Sequence, residues 1–450
     1  MDSRRSETRD DAFDAEHDPR VRTAVAHAYE RIPFYAKKRA KPAAVAPDAS
    51  LEELLAGVPL LWKHQIRTTL PKEWVPEGRD VRAELESGEI ELVETSGSTA
   101  ERTRILWDKG WWLKQEERGM RTNPVVDRAM ANAARYHEAI LTTPVCGLGS
   151  CHTGDLTFEE RVDEHRLFLN SRADPTFWSP GDTSRMLDEL ARHATVGLES
   201  DPTYLATLAR SATASGRTIA VSDFVTLTYA MTSTAHLRAI RRAVSVPVYQ
   251  LYGASEVGVL FMQGEDGLLH HCPLTTHVEL LPVNVPTPGA ENVALVVVTT
   301  LDRTVQPLIR FVVGDLVQVA RDVPGRFTPV PPIVSPEGRL QDAIIRPDGA
   351  WITAGAFDRA VGGYPGVAFY QANQESPAEV VVDVVAEEGA PPNLASALLD
   401  RLGPLLSPLR ISVRLATGIA AESSGKFRIV RRQFPVDLGV LVADGKGVSA

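Results

Sequence analysis

The stretch FVTLTYAMTSTAHLRAIRRAVSVPVYQLYGASE, residues 224–256, decides the fold class. It opens on a β-branched and aromatic run at Phe224–Leu227, passes through a helix-patterned segment at 236–243, and returns to a strand at 246–250. Strand, helix, strand is the unit of an α/β layer with parallel strands. The turn that follows, Leu251-Tyr-Gly-Ala-Ser-Glu256, puts a carboxylate outside the carboxyl end of a strand, where ligands bind in open α/β sheets. Glu256 there suits Mg²⁺ on a nucleotide triphosphate, an ion held by one or two protein carboxylates plus phosphate oxygens. Tyr252 offers a ring to an adenine. A plain turn with a buried tyrosine accounts for the same residues equally well.

Outward from this unit, the amino-terminal side continues the same texture. Residues 1–20 are polar and read as a frayed tail. Residues 21–40 read as a helix broken at Pro33. Short strands are expected at 90–93, 105–107 and 139–142, with a helix over 111–134 that breaks at Pro124. A further helix is expected at 202–215. After Glu256 the pattern turns to strands between Pro and Gly turns, at 278–281, 293–299, 308–312 and 316–319, as in a small β-rich lobe. The Pro/Gly-rich stretch DVPGRFTPVPPIVSPEG, residues 322–338, is the expected domain boundary. Beyond it, strands at 343–346, 367–370, 379–385, 411–415 and 427–430 and a helix at 393–402 make a compact α+β module. The predicted organisation is therefore a tail at 1–20, a multi-lobed α/β domain at 21–337 and a small mobile α+β domain at 338–450.

Three further motifs carry chemistry. Glu94-Thr95-Ser96-Gly97-Ser98-Thr99 clusters small hydroxyls around a glycine, offering donors to phosphate oxygens without bulk; a surface turn reads alike. It lacks the Gly-Lys-Ser/Thr ending of a Walker loop. Gly314-Asp315 falls between two expected strands, where a carboxylate on a tight turn accepts ribose hydroxyls or simply faces water. Ser424-Gly425-Lys426 sets a lysine on a small loop, able to reach a phosphate or carboxylate as a point charge.

In order and spacing these motifs resemble those of the adenylate-forming superfamily of acyl-CoA synthetases, adenylation domains and luciferases, over residues 20–435. Thr95–Thr103 is similar to that family's phosphate loop, Tyr252-Gly253-Ala254-Ser255-Glu256 to its aromatic–Gly–x–Ser/Thr–Glu motif, and Gly314-Asp315 to its ribose motif. Gly338-Arg339 resembles its hinge and Lys426 its carboxy-terminal lysine. Tyr29-Glu-Arg-Ile-Pro-Phe-Tyr35 and Asp201-Pro-Thr-Tyr-Leu-Ala-Thr-Leu-Ala209 resemble phenylacetate–CoA ligases in particular. A weaker resemblance points to adenylating proteins of phenazine-antibiotic pathways. The resemblance implies ATP, Mg²⁺ and CoA as co-substrates and a small carboxylic acid, expected to be aromatic, activated as acyl-AMP. It assigns ATP or AMP to Thr95, Ser96, Gly97, Ser98, Thr99, Tyr252, Gly253, Ser255, Asp315 and Arg339, Mg²⁺ to Glu256 and the transition state to Lys426. The acceptor is CoA, with a carrier-protein thiol or an amine as alternatives, and a non-catalytic binding homologue stays open. Two positions depart from the pattern. Ala100 replaces a glycine in the phosphate loop, and Gln341 replaces an acidic hinge residue, although Asp342 follows.

The segment after the 139–142 strand lies where this family lines its acyl pocket. Thr143, Gly147, Ser150 and His152 are the candidates, with glycines that let a flat ring lie against backbone. Two groups raise the question of zinc: Cys146, Cys151 and His152, and His270, His271, Cys272 and His277. Neither has the paired Cys/His spacing that zinc sites use, so the reading is against zinc. The chain has 450 residues, 44% hydrophobic and 24% charged, and 48 Lys+Arg against 58 Asp+Glu give a net charge of −10. That balance speaks against nucleic-acid binding. Three cysteines are too few for a disulfide framework, the opening has no signal-peptide core, and no stretch approaches the ~20 apolar residues of a membrane span. A cytoplasmic location is expected.

Overall fold

The structure is a computed structural model that describes residues 3–37, 50–94, 103–132, 134–146, 149–150, 156–170, 172, 174–320, 330–436 and 441. A twelve-stranded sheet organises the large part of the chain. In spatial order its strands are Thr276–Pro282, Val293–Thr300, Phe311–Val319, Ile333–Arg339, Leu269–His271, Gly258–Gln263, Val248–Ala254, Phe224–Leu227, Gly197–Ser200, Glu138–Leu141, Arg166–Phe168 and Val162–Asp163. From Val248–Ala254 to Arg166–Phe168 the pairing is parallel. Parallel strands are covered on both faces, and Gly197–Ser200 and Phe224–Leu227 are buried at every position. The helices Pro180–Arg192, Pro202–Ala214 and Thr234–Ala243 cross between them. The strands expected as a β-rich lobe continue this sheet in antiparallel pairing.

A second sheet has the order Arg410–Ala416, Glu379–Ala386, Val367–Ser376, Val430–Arg432, packed with the helices Ala354–Val361 and Leu394–Leu406. Its apolar core is continuous with the large sheet. Leu295, Val297 and Val312 share one cluster with Ile344, Trp351 and Phe357. Backbone bonds add to the join, from Trp351 N to Pro286 O at 2.9 Å and from Asn284 N to Leu441 O at 3.1 Å.

Several expectations are corrected. The opening helix runs Ser3–Arg31, through most of the stretch read as a frayed tail; polarity argues against burial, not against helix. Val21, Val25 and Ala28 bury its far end, and a new helix, Pro33–Ala36, starts with Pro33 in its first turn. Gly314-Asp315 does not sit on a hairpin turn. It lies inside one strand, Phe311–Val319, where register jumps from Val297↔Val312 to Leu295↔Leu316. The surplus residues form a bulge against Val293–Thr300, while on the other side Asp315 stays paired with Arg339. The Pro-rich boundary is in part a strand of the main sheet, Ile333–Arg339, since prolines are tolerated at irregular pairings. The last strand is Val430–Arg432, displaced from 427–430.

Candidate active site

The turn carrying Glu256 is clamped from below. Arg303 donates to the Glu256 carbonyl at 2.7 Å and to the Leu106 carbonyl, and its guanidinium lies 4.8 Å from the Trp111 ring. Trp107 Nε1 donates to Ser255 O at 3.1 Å. Gly253 is required by close approach: a Cβ there would stand 2.6 Å from Gly258 O. The Glu256 side chain is buried, and Lys63 Nζ from the Lys63–Thr69 helix meets its Oε1 at 2.6 Å. Burial would raise this carboxyl, but the Lys63 charge and hydrogen bond outweigh it and hold the group below its ordinary value.

Asp315 and Arg339 face each other as register partners on neighbouring strands, with Arg339 Nε 3.7 Å from Asp315 Oδ1. Tyr252 donates its hydroxyl to Asp315 Oδ2 at 2.9 Å, and its ring stacks on Phe261 at 6.0 Å between centroids. Burial raises the Asp315 carboxyl, opposed by Arg339. A cavity of about 110 Å³ opens here, lined among others by Tyr229, Met231, Gln250, Tyr252, Asp315 and Arg339.

Lys426 arrives from the carboxy-terminal part. Its loop closes on itself through Glu422 N to Lys426 O and Gly425 N to Glu422 O, both at 2.8 Å. The buried Tyr204 of the Pro202–Ala214 helix donates to Gly425 O at 3.0 Å, fixing the loop against the large part. Burial, helped by the Arg339 charge, pushes the Lys426 ammonium down to about 8, while Asp201, Glu256 and Asp315 pull the other way. Asp201 is itself pushed up to about 6 by burial, against bonds from Thr203 N and the Lys426 charge. Tyr252, Glu256, Asp315, Arg339 and Lys426 are thus brought within electrostatic reach of one another from four segments of the chain.

Other expected residues fall elsewhere. Thr95 to Thr99, with Ala100, lie outside the described residues. Their flanks do not: Glu94 and Arg104 are paired at the end of the hairpin formed by Ile90–Glu94 and Arg104–Asp108. Gly147 and His152 also lie outside, and Ser150 is in a two-residue strand, Gly149–Ser150. Thr143 is buried and hydrogen-bonds Tyr204. Gln341 sits in the turn Leu340–Asp342, and its acidic neighbour Asp342 is already engaged by Arg428. Of the second histidine group, His270 pairs with Asp266 at 2.9 Å and His271 reaches Thr276 O at 3.0 Å. His277 Nδ1 meets His17 Nε2 at 3.1 Å, and burial pushes the Cys272 thiol up to about 12. Among the described residues no group of three or more His, Cys, Asp or Glu is placed to hold a metal. Lys63 and Arg303 escaped the sequence reading, and Asp201 entered it only as the start of the Asp201–Ala209 stretch. Only Asp201 carried a local signal, as the cap before Pro202.

Solved structures share this architecture. A 2-hydroxyisobutyryl-CoA ligase in the postadenylation state, in complex with R3-HIB-AMP, superposes with a TM-score of 0.67 at 18% identity, over 93% of this chain and 89% of that one. The fold is that of the adenylate-forming acyl-CoA ligases. The same ligase in the thioesterification state, with 2-HIB-AMP and CoA, gives 0.52 at 19% identity, over 93% and 90% of the two chains. The anthranilate CoA ligase AuaEII in complex with anthranoyl-AMP gives 0.53 at 13% identity, over 75% and 64%. No protein-family model matches the sequence, and no curated protein matches it.

Proposed function

We propose that this protein joins a carboxylic acid to the α-phosphate of ATP, releases pyrophosphate, and passes the acyl group to CoA. The observation that carries this reading is the gathering of Lys426, the Lys63–Glu256 pair and the Tyr252–Asp315–Arg339 set within electrostatic reach of one another. Adenylate-forming ligases use the same fold, and the solved relatives hold acyl-AMP and CoA.

In the proposed step a carboxylate oxygen bonds to the α-phosphorus while the bond to the pyrophosphate oxygen breaks. Such transfers depend on position and charge neutralisation rather than on a protein nucleophile. Asp315 and Arg339 hold the ribose, and the Tyr252 hydroxyl fixes the Asp315 carboxylate. Thr95, Ser96, Ser98 and Thr99 cradle the departing phosphates. Lys426 lies between carboxylate and phosphate oxygens, where charge grows in the transition state. Glu256, held ionised though buried, is the hard anionic oxygen that Mg²⁺ requires, and the ion would neutralise phosphate charge there. Lys63 already supplies one cation to this carboxylate, which suits it to accompany the phosphates as they leave.

An aromatic acid is the proposed substrate, held near Thr143, Gly147, Ser150 and His152, in a cytoplasmic enzyme. The resemblance to aryl-acid ligases supports it, as does the anthranilate ligase among the structural relatives. The test is pyrophosphate release from ATP with benzoic, hydroxybenzoic, phenylacetic, phenazine-carboxylic and long-chain fatty acids, with and without CoA. Release with an aryl acid and CoA-dependent thioester formation is the expected result. Preference for fatty acids defeats the aryl assignment alone, and no release with any acid defeats the reading as a whole.

A further inference from the structure

Among the contacts that join the part of the chain carrying Lys426 to the large part is one buried carboxylate. Asp358 lies on the helix Ala354–Val361, beyond the Gly338–Gln341 turn, and is 5% exposed. Its oxygens accept the Thr234 backbone N–H at 3.0 Å each, and Oδ2 accepts the Thr234 hydroxyl at 2.6 Å. Thr234 is the first residue of the helix Thr234–Ala243 in the large part. Asp358 therefore caps a helix that belongs to the other side of the turn, an anion against the positive end of a helix dipole. One turn along that helix, Arg238 donates to Gly362 O at 2.9 Å and to Val367 O at 2.6 Å, and Arg210 of the preceding helix reaches Ala368 O. Within its own part Asp358 has the Tyr370 hydroxyl.

We infer that Asp358 is a positioning residue for the adenylation step, setting the orientation of the Lys426-bearing part through its cap on the Thr234–Ala243 helix. Rotating that part strips a buried carboxylate of both Thr234 donors at once and leaves the Thr234 N–H without its partner, an outcome that buried polar groups resist, although Ser233 still caps the helix through His236 N. The same orientation seats Gly425 on Tyr204 and sets Lys426 beside Asp201 and Arg339. It also agrees with the better superposition on the postadenylation state, 0.67, than on the thioesterification state of one relative, 0.52. The clasp thus holds the protein ready for its first half-reaction, and the second must begin by releasing it.

The kinetic part of this inference rests on the adenylation reading above, so its test has two readouts. Asp358→Asn keeps the shape and removes the charge; Thr234→Val removes the hydroxyl donor from the other side. Each half-reaction is measured separately, acyl-AMP formation by pyrophosphate release and transfer by adding CoA to pre-formed acyl-AMP. Asp358→Asn should slow the first about 10-fold while the second is unchanged or faster, with Thr234→Val moving the ratio the same way by less. Equal losses in both half-reactions, or an unchanged ratio in both variants, overturns the inference. The second readout needs no turnover: energy transfer between dyes at the exposed positions Leu113 and Leu415. A changed or broadened distance in Asp358→Asn supports the clasp even if no acid proves to be a substrate. A distance identical to the parent's refutes it while leaving the adenylation reading intact.

Discussion

Replacing Lys426 by glutamine should make the protein more stable and almost inactive in the first half-reaction. Lysine ordinarily titrates near 10.5, and here burial and the Arg339 charge push it to about 8. Each pH unit of that gap is worth ~1.4 kcal/mol against the charged form, which gives an upper bound of ~3 kcal/mol at pH 7. Lys426 keeps some contact with solvent, so screening reduces the net figure to about 1–2 kcal/mol. The sign follows from a folded-state pKa that is lowered. Folding disfavours the proton, so the cost is fully present below pH 8 and fades as pH rises toward 10.5. Urea unfolding of the parent and of Lys426→Gln at pH 7 and pH 10 measures it. The variant should lead by about 1–2 kcal/mol at pH 7 and lose much of that lead at pH 10. Acyl-AMP formation should meanwhile fall by at least ~100-fold, the usual loss when one transition-state donor is removed. A variant less stable at pH 7, with adenylation intact, refutes both the burial argument and the placement of Lys426.

Two other substitutions test the remaining groups. Glu256→Gln should keep the fold and lose most Mg²⁺-dependent turnover, because Mg²⁺ prefers charged oxygen ligands and Lys63 loses its partner; full activity at the parent's thermal midpoint contradicts the assignment. Tyr252→Phe removes the 2.9 Å bond to Asp315 and should raise the KM for ATP about 3- to 10-fold with kcat nearly unchanged, the pattern of a lost uniform binding contact of roughly 1 kcal/mol. Steady-state kinetics at varied ATP distinguishes this from a loss confined to kcat.

By itself the sequence determined three of the five parallel strands, Glu138–Leu141, Phe224–Leu227 and Val248–Ala254, and the order of the motifs, while Gly197–Ser200 and Arg166–Phe168 were not legible in it. Both are local: a strand–helix–strand pattern at residues 224–256 and short runs such as Tyr252–Glu256 announce themselves through side-chain period and turn residues. The bulge at Gly314-Asp315 was not legible, because a bulge depends on the register of the neighbouring strand, which the pattern of Phe311–Val319 alone does not give. Nor did the sequence mark Lys63 as the partner of Glu256, His17 as that of His277, or Asp358 as the cap of the helix at Thr234. Each joins segments separated by more than a hundred residues, and a lone lysine, histidine or aspartate looks the same whether it meets water or a buried partner. Only tertiary packing decides that, since it removes the water and leaves these groups to find each other.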